Sequence, residues 1–453
     1  MDNKLICYVE DLHMGWTDAH GDQPAAEAIR DLLTEQAWLS SRKRRWRGIE
    51  DVSIFACMAS NAPETARVSK RVLHRFHLIA LDEPLADTLQ ARLGGQAGRM
   101  VTEWPSIVQP HAPRIAAALA DICVRVFGHL KPTPMKAHYT FSWRDAGRVL
   151  MGMQMIETNS LKRQADVMKL LYHECYRNFG DRLLMAHDRS WFTQALYEVC
   201  REHFSVVDAL EAAPDNQSTK GAAKAPDGSA GEEADKKRKE QFLWPIKDPE
   251  ELYYSRWNQE VEGFYMEVDN VAEIGKVIEA SLERYNDSNE RVRLDLILFN
   301  KLSREMLKIL RVLATPGGHL INVAMKGFGM SSVMRLATFA VGHQLTELDV
   351  CEGLTDEEWH NELRRATMAC GEEAKPLTLL VDEYKMLRPE MYSDLECLLK
   401  NHVASEIVRK PDVTQALTGI FQQQDSEQKT EQPEGDTYAD DDLSAEQQAE
   451  KAR

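Results

Sequence analysis

A glycine-rich segment between an apolar run and an apolar helix constrains the fold more than any other part of this sequence. Residues 319–332 read HLINVAMKGFGMSS, which predicts a β-strand, a glycine loop and the start of a helix. Loops of the pattern G-x-x-x-x-G-K-[ST] bind phosphates through backbone N–H groups, a lysine and a hydroxyl that holds Mg²⁺. We interpret the segment as a degenerate loop of this kind, formed by Ala324, Gly327, Gly329, Met330, Ser331 and Ser332.

Two substitutions separate this loop from the full pattern. Ala324 replaces the first glycine, and Met330 replaces the lysine. Because a thioether carries no charge and is only a weak acceptor, we expect ATP or ADP with Mg²⁺ to bind weakly. The alternative interpretation is an ordinary glycine turn that binds no nucleotide.

The elements around the loop favour the phosphate-binding interpretation. Upstream, LDLILFNKLSREMLKILRVLATPGG has apolar residues at helical spacing, and the PGG sequence ends the predicted helix. Downstream, a helix, a short strand and a second helix precede the apolar strand PLTLLVDE, which ends in Asp382 and Glu383. Such a pair is typical of a Walker B motif, in which one carboxylate orders Mg²⁺ and the other polarises water. A Mg²⁺ ion would then lie at Ser331 and Asp382.

The amino-terminal part repeats this pattern. The apolar strand KLICYVED ends in Glu10 and Asp11, and a helix over 24–38 and a buried strand over 51–60 follow. Residues 67–84 predict the end of a helix and a further strand. The proline-marked segment before HYTFSWRDAGRVLMGM leads into another helix.

Several of these segments resemble the heavy chain of dynein. HYTFSWRDAGRVLMGM and LYHECYRNFGDRLL, followed by DRSWF, resemble the lid of its third AAA+ module, where the family reads HYTFNLRD and HECxRVFxDRL. FYMEVDNVAEIGKVIEASLERYN and HLINVAMKGFGMSSVMRLATF resemble the start and the P-loop of the fourth module. The resemblance runs from about Lys4 to Lys400 and is closer to axonemal than to cytoplasmic dyneins.

The resemblance implies the fold class α/β, with P-loop NTPase (AAA+) modules in which helices flank a parallel sheet, and with a helical lid subdomain. Both modules are expected to be incomplete. The expected parts are the third large subdomain from its Walker B strand onward (1–95), its helical lid (96–208), a low-complexity insertion (209–242), the first part of the fourth module (243–410) and an acidic tail (411–453). We expect the insertion to be flexible and the tail to be disordered, because both contain few large apolar residues.

The resemblance also assigns roles to single residues of the third module. Glu10 and Asp11 fall on its Walker B acids, and its own P-loop is expected to lie before residue 1. Met58 falls where many dyneins have a polar residue that positions the lytic water. A methionine cannot position water in this way, so the resemblance implies a loss of hydrolytic activity.

Two further positions correspond to cationic residues of the family. His74 falls on the arginine-finger position, with Arg71 and Arg75 on either side. Arg144 matches the lid arginine that senses the γ-phosphate. The resemblance therefore implies an intact sensor and a weakened finger, since a neutral imidazole does not stabilise transition-state charge.

The function that the resemblance implies is that of a dynein motor-ring segment in microtubule-based movement. The expected partners are other ring modules or subunits of the dynein complex, and microtubules only indirectly. The expected location is the cytoplasm and cytoskeleton, including the ciliary axoneme. By itself the chain is expected to be neither a motor nor an efficient ATPase. Two alternatives stay open, a standalone scaffold without catalysis and a weak ATPase.

Charge and composition argue against other classes. The formal net charge of −17 argues against nucleic-acid binding, and no apolar run reaches the length of a membrane span. The basic run RKRRWR, from Arg42 to Arg47, suggests a nucleic-acid patch with a stacking Trp46, but we interpret it as a solvated turn between a helix and a strand. The eight cysteines include no C-x-x-C pair, so neither a zinc site nor a disulfide framework is indicated.

Two side-chain groups are interpreted as structural. His173 and Glu174 resemble part of a zinc motif, but Arg177 stands where the second histidine belongs, so helix packing and a polar contact are predicted. The aromatic residues Tyr253, Tyr254 and Trp257 could bind a ligand, but we predict that they pack into a core or a neighbouring domain.

Overall fold

The structure is a computed structural model. It describes residues 4–18, 20–40, 44–59, 68–81, 86–204, 246, 252–256, 265–268, 271–288, 293–323, 327, 329–347, 355–373, 376–382, 386, 388–401 and 414. These residues belong to two units, 1–85 and 86–453, which are described separately. The predicted insertion lies outside the described residues, as do Trp257, Ala324, Glu383 and the predicted tail apart from Thr414.

The first unit contains a parallel pair of strands. Strand β1 (Leu5–Val9) pairs with β4 (Val52–Ala56), with Leu5 opposite Val52 and Val9 opposite Ala56. A parallel pair needs a crossover connection, which here contains a helix. The other elements are α1 (Pro24–Glu35), the antiparallel hairpin of β2 (Ala37–Ser40) and β3 (Arg45–Gly48), and α2 (Lys70–Leu73).

The two faces of the β1–β4 sheet have different surroundings. On one face, Val9 and Ala56 pack against a small core that contains Leu12, Ala26 and Val72. Successive side chains of a strand point to opposite faces, so Ile6, Tyr8 and Phe55 belong to the other face. Their side chains are 66%, 67% and 59% exposed. We call the surface of Ile6, Tyr8 and Phe55 the open sheet face.

Two predictions for this unit are wrong. Residues 77–81, predicted as part of a strand, belong to no strand, and Leu78, Ile79 and Leu81 are exposed. A strand forms only where a neighbour pairs with its backbone groups, and no described strand does so here. The basic run was predicted as a turn, but Arg45–Gly48 forms strand β3 of a hairpin. Its tryptophan and the facing Trp38 and Leu39 favour strand over turn.

The second unit begins with a helical subdomain. Its helices are α3 (Ala86–Met100), α4 (Ala112–His129), α5 (Trp143–Gln154), α6 (Gln164–Asn178) and α7 (Ala186–Phe204). Helix α5 begins at a capping box, in which the side chains of Ser142 and Asp145 bond to each other's backbone N–H groups. Fully buried side chains such as Leu119, Met153 and Phe179 form one continuous core. None of the described helices combines the length and apolar character needed to cross a bilayer.

The remaining elements of the second unit alternate helices with short strands. They are β5 (Tyr254–Ser255), β6 (Met266–Glu267), α8 (Val271–Asp287), α9 (Asn300–Ala314), α10 (Met330–Val341), β7 (Gln344–Glu347), α11 (Asp356–Glu373), β8 (Leu377–Leu380) and α12 (Pro389–Asn401). Strands β7 and β8 are parallel, and β5 and β6 are antiparallel. Tyr253 and Tyr254 are buried in hydrophobic cores, which confirms the prediction for these two aromatic residues.

Two segments of this unit differ from the prediction. The helix predicted from Leu294 onward begins only at Asn300. Before it, Leu294, Leu296 and Leu298 pack against the core while the residues between them are exposed, the period of two that an extended chain produces. Residues 319–323, predicted as a strand, belong to none of the described strands, since none of these pairs with them.

Candidate nucleotide-binding site

The glycine loop before α10 has the backbone conformation that its glycines permit. Gly327 and Gly329 adopt φ angles of 89° and 71°, a region that other residues rarely enter. Gly329 caps α10, whose first residue is Met330. The N–H groups of a helix's first turn have no intrahelical acceptor and attract anions, so the start of α10 has the polarity that favours a phosphate.

The charge needed to hold a triphosphate is missing from this turn. Met330 occupies the first helical position, and Ser331 and Ser332 follow it, half-buried. The hydroxyl of Ser331 is a suitable ligand for Mg²⁺, because this ion prefers oxygen. No residue of Met330–Ser332 carries a positive charge. The role of these residues in nucleotide binding stays a prediction.

Each of the two parallel strands β7 and β8 has an acidic residue at or near its carboxyl end. Glu347 ends β7, and Asp382 lies two residues beyond β8. Arg335 of α10 binds Glu347 through two contacts, Nε to Oε1 at 2.6 Å and the terminal nitrogen to Oε2 at 2.9 Å. The bond to Glu347 raises the pKa of Arg335, burial opposes the rise, and the charge of Asp382 adds to it. Glu347 and Asp382 therefore both raise the pKa of the same guanidinium group.

Sequence reasoning did not identify Arg335 and Glu347 as members of this site. The available signals were an acid at the end of the short strand LTEL and an arginine four residues after Ser331. Only the parallel pairing of β7 with β8 brings Glu347 to the same sheet edge as Asp382. The oxygen atoms of Ser331 and Asp382 are of the kind that Mg²⁺ prefers, and their role as ligands stays a prediction.

In the first unit, the ends of β1 and β4 bring three predicted site residues to one sheet edge. Glu10 and Asp11 follow β1, and Met58 follows β4. Asp11 has a left-handed backbone with φ 50°, and its N–H donates to Cys57 Sγ at 3.5 Å. Glu10 and Met58 are exposed. This placement agrees with a Walker B strand beside the strand that carries a water-positioning residue, and the roles of the three residues stay predictions.

The three finger-like residues lie within α2 or directly after it and have different surroundings. Arg71 forms ion pairs with Asp22 at 3.3 Å and Glu27 at 3.1 Å in its own unit. His74 and Arg75 are exposed at the end of the helix. His74 lies in a groove of about 420 Å³, whose other lining residues are Lys70, Leu73, Phe76, His77 and Leu78. The imidazole of His74 is therefore accessible to a neighbouring molecule, whereas the guanidinium of Arg71 is already paired with two carboxylates.

Arg144, the sensor-like residue of the second unit, is the second residue of α5 and is exposed. Its neighbour Asp145 is buried and accepts a hydrogen bond from Arg182 at 2.6 Å. The capping box and this ion pair fix the start of α5. The backbone that carries Arg144 is thus held firmly, while its side chain is accessible to solvent.

A buried polar cluster joins the helical subdomain to α9. It consists of His173, Glu174, Tyr265 and Arg311. Glu174 Oε1 accepts hydrogen bonds from the Tyr265 hydroxyl at 2.6 Å, from His173 Nδ1 at 3.1 Å and from Arg311 Nε at 3.3 Å. Its Oε2 forms a second, short contact with Arg311. The prediction that His173 and Glu174 serve helix packing and a polar contact is confirmed.

The protonation states in this cluster follow from burial and pairing. Burial lowers the pKa of His173 to about 4, so the imidazole is neutral at pH 7 and its Nδ1–H donates to Glu174. Burial alone would raise the pKa of Glu174, but Arg311 and His173 outweigh it and lower this pKa to about 2. Burial would lower the pKa of Arg311, and Glu174 raises it instead. The cluster therefore contains one buried ion pair.

Three parts of the chain match known families. Residues 294–440 match a family described as "P-loop containing dynein motor region D4", and residues 1–84 match "P-loop containing dynein motor region". Residues 114–213 match "AAA+ lid domain". The matched order agrees with the order of sheet and helical parts in the structure.

Curated relatives cover most of this chain. Dynein axonemal heavy chain 6 of Homo sapiens is 22% identical over 417 residues, which are 92% of this chain and 9% of that protein. Dynein axonemal heavy chain 12 of Rattus norvegicus is 23% identical over 376 residues, which are 82% of this chain and 11% of that protein. The chain therefore spans about a tenth of the length of these relatives. Together with the three matched regions, they show that the chain belongs to the dynein heavy-chain family and corresponds to part of its AAA+ motor region.

Proposed function

We propose that this chain acts within a dynein motor ring as a segment that binds nucleotide weakly and serves mainly as a structural part. Met330 at the first position of α10, directly after Gly329, is the observation that carries this proposal. The position faces the anion-binding end of the helix but carries no charge. Arg335, a nearby cation of the same helix, is held by Glu347 at 2.6 Å.

The first prediction concerns ATP affinity. We expect titration calorimetry with Mg²⁺-ATP to give a dissociation constant no better than high micromolar, and turnover equal to that of a blank. Met330→Lys restores one charge-assisted contact, worth about 1.5–3 kcal/mol, so the affinity should rise about tenfold or more. Met330→Leu is the matched control and should bind as the unaltered chain does.

Two results would contradict this proposal. A low-micromolar dissociation constant for the unaltered chain, with turnover above the blank, would favour the alternative of a weak ATPase. An unchanged affinity in Met330→Lys would show that the loop is an ordinary glycine turn.

The open sheet face supports the proposal that the chain works against other ring modules or subunits of a dynein complex. Exposed apolar side chains on adjacent strands are typical of an interface. The relatives are named as axonemal, so we propose the cytoskeleton of the ciliary axoneme as the location. A scaffold without catalysis, the second candidate, would use the same face but would show no gain in affinity for Met330→Lys.

A further inference from the structure

The β2–β3 hairpin carries an exposed surface of arginine and tryptophan that the proposed function does not use. Trp38 pairs across the hairpin with Arg47, and Ser40 pairs with Arg45. All four residues of β3 are exposed, and Trp38 and Trp46 are 48% and 58% exposed. Large aromatic side chains at such exposure are typical of binding surfaces.

The pairing sorts these side chains onto two faces. Residues opposite each other in an antiparallel pair share a face, and alternate residues of a strand share a face. Trp38, Arg45 and Arg47 therefore lie together, and we call their surface the arginine face. Leu39 and Trp46 lie on the opposite face. Along β3, Arg45 and Arg47 are two residues apart, a separation of about 7 Å.

The arginines of the hairpin differ from others in the same unit. Arg30 pairs with Glu27 and Asp31, and Arg71 pairs with Asp22 and Glu27. Across the described part of the chain, no acid lies within ion-pair distance of Arg45 or Arg47. Two exposed guanidinium groups thus face solvent without an anionic partner. A guanidinium group is planar and binds a carboxylate through two parallel hydrogen bonds, so carboxylates are suitable ligands for both arginines.

The hairpin also has an available backbone edge. The sheet of β2 and β3 has two strands in the described residues, so the outer N–H and C=O groups of β3 pair with no described strand. Such an edge accepts an extended peptide, which adds to it as a further strand. Nucleic acids and lipids cannot form this backbone pairing.

We propose that the hairpin binds an extended acidic segment of a partner protein. The segment pairs with the edge of β3 and places carboxylates at alternate positions against Arg45 and Arg47, beside Trp38. The carboxylates must stand at alternate positions, because only every second side chain of the added strand points to the same face as Arg45 and Arg47. A short segment with two or three acids fits the charge of this face, whereas long polyanions are repelled by the net charge of −17.

A peptide-binding measurement tests this proposal on the full chain. The probes are a fluorescent six-residue peptide that alternates Glu with Thr, and a peptide of the same composition with its three Glu residues consecutive. We expect the alternating peptide to bind at least about fivefold more tightly, and the double variant Arg45→Glu/Arg47→Glu to lose this binding. Circular dichroism confirms that each variant is folded.

The matched control is Arg92→Glu/Arg99→Glu, which changes two exposed arginines of α3 and the net charge by the same amount. It should bind the alternating peptide as the unaltered chain does. The proposal is overturned if the unaltered chain does not bind this peptide, if both peptides bind equally, or if the control loses as much affinity as the hairpin variant. Tighter binding of a thymidine oligonucleotide or of phosphatidylserine vesicles, abolished by the hairpin variant, would also overturn it.

Discussion

Glu174 carries a negative charge in the interior of the second unit, and three neighbours make this charge tolerable. Arg311 supplies the opposite charge, and Tyr265 and His173 donate hydrogen bonds. The desolvation of a buried ion pair consumes much of its Coulomb attraction, so the pair itself adds little net stability. Removing one partner has a much larger effect, because the other charge then stays buried without compensation.

We therefore expect Glu174→Gln and Arg311→Met each to lower the free energy of unfolding by about 3–5 kcal/mol. The double variant should lose clearly less than the sum of the two, because it leaves no unpaired charge. Urea unfolding measures all three values. Arg365→Met, which removes the exposed partner of the half-buried Glu362 on α11, is the control and should cost less than about 1 kcal/mol. Additive losses in the double variant would show that the two residues act independently.

The neutral imidazole of His173 leads to a pH prediction. Its pKa is lowered from 6.5 to about 4 by burial, so between these pH values the unfolded chain takes up a proton that the folded chain does not. Stability should therefore fall as pH drops from about 6.5 to about 4, by an amount of the order of 3 kcal/mol from this group.

Urea unfolding at several pH values measures how steeply the free energy of unfolding changes with pH, which we call the slope. His173→Asn keeps a hydrogen-bond donor near Glu174 but does not titrate, so its slope between pH 6.5 and 4 should be smaller. The exposed His77→Asn, which contacts no acid in the described residues, is the control and should keep the slope of the unaltered chain. An equal slope for His173→Asn would exclude His173 as the source.

At the scale of elements, helix α5 approaches the buried polar cluster so closely that one of its residues must be glycine. A Cβ atom on Gly152 would lie 1.8 Å from Glu174 Oε2 and 2.9 Å from a terminal nitrogen of Arg311. On the same helix, a Cβ atom on Gly147 would meet nothing within 4 Å. Both glycines therefore lie in the same helix, but only Gly152 has neighbours that leave no space for a side chain.

This difference predicts opposite effects of one substitution. Gly152→Ala should destabilise the protein by about 2 kcal/mol or more, because the buried ion pair would have to move. Gly147→Ala should stabilise it by about 0.5–1 kcal/mol, since alanine favours the helix and restricts the unfolded chain. Thermal unfolding compares the two variants directly. A loss of stability in both would mean that α5 needs glycine for its backbone and not for this contact.

At the scale of the whole molecule, the open sheet face predicts association of the isolated chain. Ile6, Tyr8 and Phe55 expose adjacent apolar surface, and the β1–β4 sheet has two strands and unpaired edges among the described residues. The double variant Ile6→Lys/Phe55→Lys should therefore contain a smaller fraction of high-mass species. Size-exclusion chromatography with light scattering measures this fraction.

Met135 provides a control for this prediction. Its side chain is 80% exposed but lies outside the sheet, so Met135→Lys adds charge without altering the open sheet face. It should associate as the unaltered chain does. If Met135→Lys reduces association as much as the double variant does, added charge and not the sheet face would be the cause.

The sequence by itself determined the features that depend on neighbouring residues along the chain. The apolar strands before Glu10 and Asp382, the helix after Gly329 and the structural role of His173 all followed from local patterns and are present in the structure. Periodicity and glycine position suffice for such features, because they depend on a few adjacent dihedral angles. The roles assigned to the site residues stay predictions, since their chemistry requires a bound nucleotide.

The tertiary structure alone decided the features that need a distant partner. Residues 319–323 have a strand-like sequence but form no strand with the described residues, while the basic run pairs with Ala37–Ser40 to form a hairpin. Glu174 and Arg311 are 137 residues apart, and Arg335 meets Glu347 only because α10 lies against β7. Backbone pairing and ion pairing depend on what the fold brings within a few ångströms, and no local pattern encodes that distance.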